Sequence, residues 1–161
     1  MRISLLEPIG VSQELIDELS APIRKAGHEF IYYPEKTTDP AELIRRSAGC
    51  EIVTIANNPY PDQVVEAADQ LKMLNVAFTG IDHVGLETCR AKGVQICNAA
   101  NYSNQTVAEL AIGMTIDLLR HMDEAQQRVH NGGTAAGLTG REIMGKTVGI
   151  IGTGRIGMIT A

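Results

Sequence analysis

The protein has 161 residues, room for one ordinary domain or for one domain and part of another. Hydrophobic residues make up 44% and charged residues 20%, a globular balance that excludes a disordered chain. The net charge of −5 argues against nucleic acid and anionic membrane surfaces, and no apolar run approaches the roughly 20 residues of a membrane span. Cys50, Cys89 and Cys97 are odd in number and widely spaced, which fits no metal pattern and suits small buried residues of a reducing compartment. Residues 1–10 lack the apolar core of a signal peptide, so a cytoplasmic location is expected.

Short apolar runs alternate with helical patterns. Residues 2–6 read as a strand. Ser12 then caps a helical stretch to residue 26, with Leu15, Ile16, Leu19 and Ile23 on one apolar face and Gly27 as its left-handed stop. Residues 28–33 read as a second strand. Asp39-Pro40-Ala41-Glu42 is a helix start, with Asp39 as cap, Pro40 in the first turn and Glu42 placed for a capping box. That helix runs to Gly49. Strands follow at 51–55, 72–78 and 94–97, with helices at 61–70 and 86–92 between them. Such alternation predicts an α/β fold, a doubly wound parallel sheet of flavodoxin-like order over residues 1–100.

The pattern then changes. Ser103 opens a helical stretch reaching to about residue 131, more than twice the mean helix length. Val107, Leu110, Ala111, Met114, Leu118, Leu119 and Met122 cover one broad face, while Ile112 and Ile116 add a second. Two apolar faces imply two partners. Met114 and Met122 read as core or interface. A glycine-rich connector follows at 131–137. Residues 146–151 then form a buried-type strand pattern that runs into Gly152-Thr-Gly-Arg-Ile-Gly157.

This G-x-G-x-x-G follows a strand pattern and opens a helix, the context in which it binds a dinucleotide. The first glycine allows the tight turn, the second lets a pyrophosphate approach, and the third lets helix and strand pack closely. The acidic residue that reads the ribose belongs about 20 residues further on, beyond residue 161. The helix after the motif spans at most residues 155–161, well below the roughly 12 at which an isolated helix becomes stable. The phosphate site is therefore expected to be encoded but not formed, and incomplete within residues 1–161.

Four blocks together carry a resemblance. They are Val76-Ala-Phe-Thr-Gly-Ile-Asp-His-Val84, Gly93-Val-Gln-Ile-Cys-Asn98, Tyr102-Ser-Asn-Gln-Thr-Val-Ala-Glu109 and Gly145-Lys-Thr-Val-Gly-Ile-Ile-Gly-Thr-Gly-Arg-Ile-Gly157. In this order they resemble the D-isomer-specific 2-hydroxyacid dehydrogenases, such as phosphoglycerate, D-lactate and hydroxypyruvate or glyoxylate enzymes. The resemblance implies a substrate domain at 1–100, then a long crossing helix and the first strand of a truncated Rossmann domain at 101–161. It implies NAD as cofactor and a small 2-hydroxy or 2-keto acid as substrate. It also implies a homodimer through the 103–131 helix. By the same resemblance, Asn57, Thr79, Gly80 and Tyr102 bind substrate. Thr106, Gly152, Gly154, Arg155, Ile156 and Gly157 hold the cofactor. The family's catalytic arginine, glutamate and histidine fall downstream of the glycine motif, so no catalytic residue is assigned and the chain is expected to be inactive alone. No metal site is expected.

Several side chains keep two readings. His83 beside Asp82 is an acid/base pair or a loop-packing group. Tyr102 lines the cleft or simply precedes the helix. Glu109 bonds locally at the helix start. His28, His121 and His130 read as structural, and Cys97 carries no base nearby in sequence. An alternative for the whole chain is a stand-alone flavodoxin-like interaction module that dimerises through the long helix. A nucleotide-binding fragment is a third.

Overall fold

A parallel strand pair cannot be closed by a tight turn, so each strand must be followed by a long return segment. The structure, a computed structural model, describes residues 1–161 and shows helices in that role. In chain order they are β1 (Arg2–Leu5), α1 (Gln13–Lys25), β2 (Glu29–Tyr32), α2 (Pro40–Ser47), β3 (Ile52–Ile55), α3 (Asp62–Ala67), β4 (Met73–Val76), α4 (Leu86–Ala91) and β5 (Gln95–Asn98). All five strands are parallel, in the order β2-β1-β3-β4-β5. The chain divides into two compact units, Met1–Ala100 and Asn101–Ala161, and the sheet lies wholly in the first.

The first unit has its own core. On β3 and β4 the side chains alternate between half-buried and buried, and Val53, Ile55, Leu74 and Val76 point into the core. Leu6, Leu43, Val64, Val65 and Cys89 close over them. Tyr60 is fully buried there, and its hydroxyl donates to Ser47 Oγ at 2.9 Å. Burial pushes that phenol up to about 12. Burial also raises the Cys89 thiol. The expected caps form: Ser12 Oγ accepts from the Leu15 amide and Asp39 Oδ1 from the Ala41 amide. Gly27, at φ +81°, ends α1 as its pattern predicts.

Four expectations need correction. On α1 only Ile16 of the predicted apolar face is buried, while Leu15 and Leu19 stay exposed and Ile23 is half-buried. Glu42 closes no capping box. Its carboxylate is drawn to Arg45 at 2.6 Å and Arg46 at 2.7 Å, one turn on, where charge-assisted bonds outcompete an amide.

The third concerns the second unit. The single helix predicted over 103–131 is two, α5 (Asn104–Arg120) and α6 (Met122–His130), joined by His121 at φ 52°. In an unbroken helix the Asp123 amide would donate to the Leu119 carbonyl. Instead Asp117 Oδ1 accepts from Asp123 and Leu119 accepts from the Arg141 amide. Ser103, which opens α5, makes no side-chain capping bond.

The fourth is the strand predicted at 146–151, which does not form; only α7 (Arg155–Thr160) follows. A parallel strand is defined by its ladder, and the second unit holds no other strand to supply one. Val148 and Ile151 are accordingly exposed.

Glu42 makes the first unit sensitive to acid. Arg45 and then Arg46 hold its carboxyl at about 2, below its ordinary value of 4.5. The stability it contributes is therefore present above about pH 4.5 and lost as the pH falls toward 2. Partial exposure of the cluster screens the effect. In acid titrations of thermal unfolding, Glu42→Gln should be less stable than the parent at neutral pH. The two curves should converge between pH 4.5 and 2. Parallel curves would remove Glu42 from the acid response.

Candidate functional site

In a doubly wound sheet, ligands bind beyond the C-terminal ends of the strands where the order reverses, here between β1 and β3. Glu7, just past β1, is only 2% exposed. Its Oε1 accepts from the amides of Ala56 and Asn58, each at 2.7 Å. Its Oε2 lies 3.7 Å from Lys36 Nζ. The end of β1 is held a second time by buried Arg46, which donates to the Leu6 carbonyl at 3.0 Å and the Glu35 carbonyl at 2.6 Å. The Arg46 guanidinium also stacks 4.7 Å from the Tyr33 ring centroid.

Asn57 sits between the two clasped amides with an exposed side chain. His83 fixes the same loop from the other side, its Nε2 lying 3.0 Å from the Ala56 carbonyl oxygen. A carbonyl only accepts, so Nε2 carries the proton there. The ring is engaged with Ala56 rather than with Asp82, which favours the packing reading of His83. The His83 carbonyl accepts in turn from the Tyr60 amide at 2.8 Å. Asn58 is fully buried, and neither its Oδ1 nor its Nδ2 has a partner within the chain.

Beyond β4, Asn98 Nδ2 donates to the Thr79 carbonyl at 2.7 Å and Thr79 Oγ1 lies 3.5 Å from the Ala99 carbonyl. The loop is thus tied through its carbonyl and side chain, while the Thr79 and Gly80 amides donate to no backbone carbonyl. Asn57, Thr79 and Gly80 therefore share one edge of the sheet, at the ends of adjacent strands. Sequence reading missed Glu7, Lys36, Arg46 and Asn58. The signal for Glu7 was present, since a carboxylate follows an apolar strand directly in Leu5-Leu6-Glu7-Pro8.

Tyr102 and Thr106 belong to the second unit. Both are exposed, Tyr102 in the turn before α5 and Thr106 in its first turn. Glu109 accepts from Gln105 Nε2 at 2.8 Å, a local bond along the helix.

The glycine motif is shaped even though its strand is absent. Gly152 has φ +100°, a conformation reserved for glycine. A Cβ on Gly154, the N-cap of α7, would face open space. A Cβ on Gly157 would run into the Gly152 carbonyl oxygen. Turn, open approach and close packing thus fall on the three glycines in the order a pyrophosphate cradle requires. Arg155 is exposed and Ile156 half-buried beside them. The short α7, marginal by length alone, packs on α5, where Ile159 lies with Ala108 and Ile112.

The family model described as D-isomer specific 2-hydroxyacid dehydrogenase, catalytic domain, matches residues 3–151. The chain belongs to this family. It is 32% identical over 150 residues to D-3-phosphoglycerate dehydrogenase of Haemophilus influenzae, covering 92% of this chain and 36% of the relative. It is 30% identical over 141 residues to hydroxypyruvate reductase of Blautia hydrogenotrophica, covering 83% and 44%. Among solved structures, NAD-dependent formate dehydrogenase of Staphylococcus aureus in complex with NAD superposes with a TM-score of 0.86 at 25% identity, covering 100% of this chain and 52% of that one. The apo D-lactate dehydrogenase of Escherichia coli gives 0.71 at 27%, covering 99% and 50%. The chain thus spans about half of these structures, and less than half of the two sequence relatives.

The close packing at Gly157 gives a steric test. Gly157→Ala should open the 152–157 turn and fray α7, because neither backbone atom in the clash can swing aside. Amide exchange would then speed up in Arg155–Thr160 and stay unchanged in the sheet of the first unit. Unaltered protection of α7 would show that the turn tolerates a side chain.

Proposed function

We propose that the chain is the N-terminal portion of an NAD-dependent D-2-hydroxyacid dehydrogenase. In this reading residues 1–100 form the substrate domain and residues 101–161 begin the NAD-binding domain. NAD, when bound, supplies or accepts the hydride exchanged with C2 of a 2-hydroxy or 2-keto acid. The observation that carries the reading is the glycine turn, with Gly152 at φ +100°, Gly154 open and Gly157 closed against Gly152.

The residues take distinct tasks. The Thr79 and Gly80 amides receive the substrate carboxylate, and Asn57 lines the same crevice. Tyr102 stands at the substrate and Thr106 near the nicotinamide end of the cofactor. Gly152, Gly154, Arg155, Ile156 and Gly157 cover the pyrophosphate. Free amides at the turn offer hydrogen bonds to its oxygens, and Arg155 adds a positive charge. The cysteines are unpaired, in keeping with a cytoplasmic setting, and no helix is long and apolar enough to cross a membrane.

Three of the four histidines of these residues are engaged elsewhere, and His121 sits exposed at the break between α5 and α6, in the second unit. His83 is bound to Ala56, His28 Nδ1 lies 3.3 Å from the N-terminal amine, and His130 Nδ1 lies 3.0 Å from the Gln126 carbonyl. An acid/base must be free to move a proton to the substrate oxygen. That role, with the arginine and glutamate that serve it, falls to the family's downstream region.

The helices of the second unit supply a partner surface. Leu110, Met114 and Leu118 on α5 are 60%, 58% and 75% exposed, and Met122 and Val129 on α6 are also bare. A second copy of the chain covers them in this reading. Such an interface would equally serve an interaction module without catalysis.

Residues 1–161 should therefore sediment as a dimer at micromolar concentration and fail to oxidise NADH with pyruvate, glyoxylate or hydroxypyruvate. Sustained turnover would overturn the assignment of the chemistry to the downstream region. A monomer would overturn the dimer.

A further inference from the structure

Glu7 lies outside every role assigned above, yet the crevice is built on it. A buried carboxylate needs partners, and Glu7 spends one oxygen on two peptide amides at 2.7 Å. Those amides belong to Ala56 and Asn58, the residues flanking exposed Asn57. The Ala56 carbonyl is held separately by His83. Both peptide planes around Asn57 are thereby fixed, and the only side chain of the three left exposed is that of Asn57.

We propose that Glu7 is a positioning residue: its clasp on the Ala56 and Asn58 amides holds Asn57 in place to meet a 2-keto acid in the β1/β3 crevice. This rests on the substrate reading of that crevice given above. A loop left to choose among conformations would lose affinity by the fraction of time spent elsewhere. The clasp removes that loss before the ligand arrives. Lys36 faces the other carboxylate oxygen at 3.7 Å.

Glu7→Gln keeps the shape and weakens the clasp, because a neutral amide oxygen accepts less strongly than a carboxylate. If the new carbonyl oxygen faces the two amides, the new NH₂ points at the Lys36 ammonium. If it flips, the NH₂ points at the amides. Either way donor meets donor.

The test is a double-mutant cycle on the 161-residue chain, titrated with oxamate, an inert mimic of a 2-keto acid, and read by NMR at the Asn57, Thr79 and Gly80 amides. Asn57→Ala should weaken binding about tenfold, the scale of one lost hydrogen bond. Glu7→Gln should weaken it by about fivefold in the parent and not at all in the Asn57→Ala background. Equal losses in both backgrounds, or parent affinity in Glu7→Gln, overturn the positioning role and leave the crevice reading standing. No oxamate-dependent shift in the parent overturns both. If Glu7→Gln does not fold, backbone relaxation of the ligand-free parent decides. Asn57 as ordered as Ile55 supports the clasp, and Asn57 as mobile as a chain terminus overturns it.

Discussion

Where β3 ends, the Ala56 and Asn58 amides are buried and the strand ladder no longer supplies acceptors for them. Glu7, at the end of the neighbouring strand, takes both. An orphaned buried amide costs about 1–3 kcal/mol, so this one carboxylate decides whether the loop can sit against the sheet at all. The rest of the first unit is arranged around that need. Arg46 reaches from α2 to the carbonyls of Leu6 and Glu35, which brings the 33–36 loop over β1 and sets Lys36 beside Glu7. Glu42 in turn holds Arg46. A chain of charge-assisted contacts thus runs from the surface of α2 to the point where the sheet reverses.

The two units differ in how far their physics is complete within residues 1–161. The first has every strand of its sheet paired and a buried core. In the second, residue burial is sparse. Ala108 alone is buried, and apolar side chains of α5 and α6 face outward. The run at 146–151 has the composition of a buried strand and no ladder to join. Its glycine turn is nevertheless shaped, because φ at Gly152 and contact at Gly157 are local matters settled by the turn and by α7 on α5. This division is in keeping with the proposed reading of a substrate domain followed by the opening of a cofactor domain.

What was legible in the sequence was local or periodic. Ser12 and Asp39 cap the helices they precede because the bond spans only two or three residues. The alternation of strand and helix foretold the parallel sheet. What could not be read depends on partners far along the chain. Glu7 finds its amides 49 and 51 residues away. The break at His121 depends on the Arg141 amide claiming the Leu119 carbonyl, which no helical pattern records. The strand predicted at 146–151 fails for the converse reason, since its apolar pattern is local and the second unit holds no other strand to pair with it. In the site, Asn57, Thr79 and Gly80 were named through family resemblance, whereas the group that orders Asn57 emerged only from geometry.

Native-state amide exchange by NMR bears most directly on the claim that the Glu7 clasp organises the crevice. The account requires the Ala56 and Asn58 amides to exchange as slowly as those of Val53 and Ile55 in β3, although they lie past the strand's end. Exchange at those two amides as fast as in an unstructured peptide would contradict it.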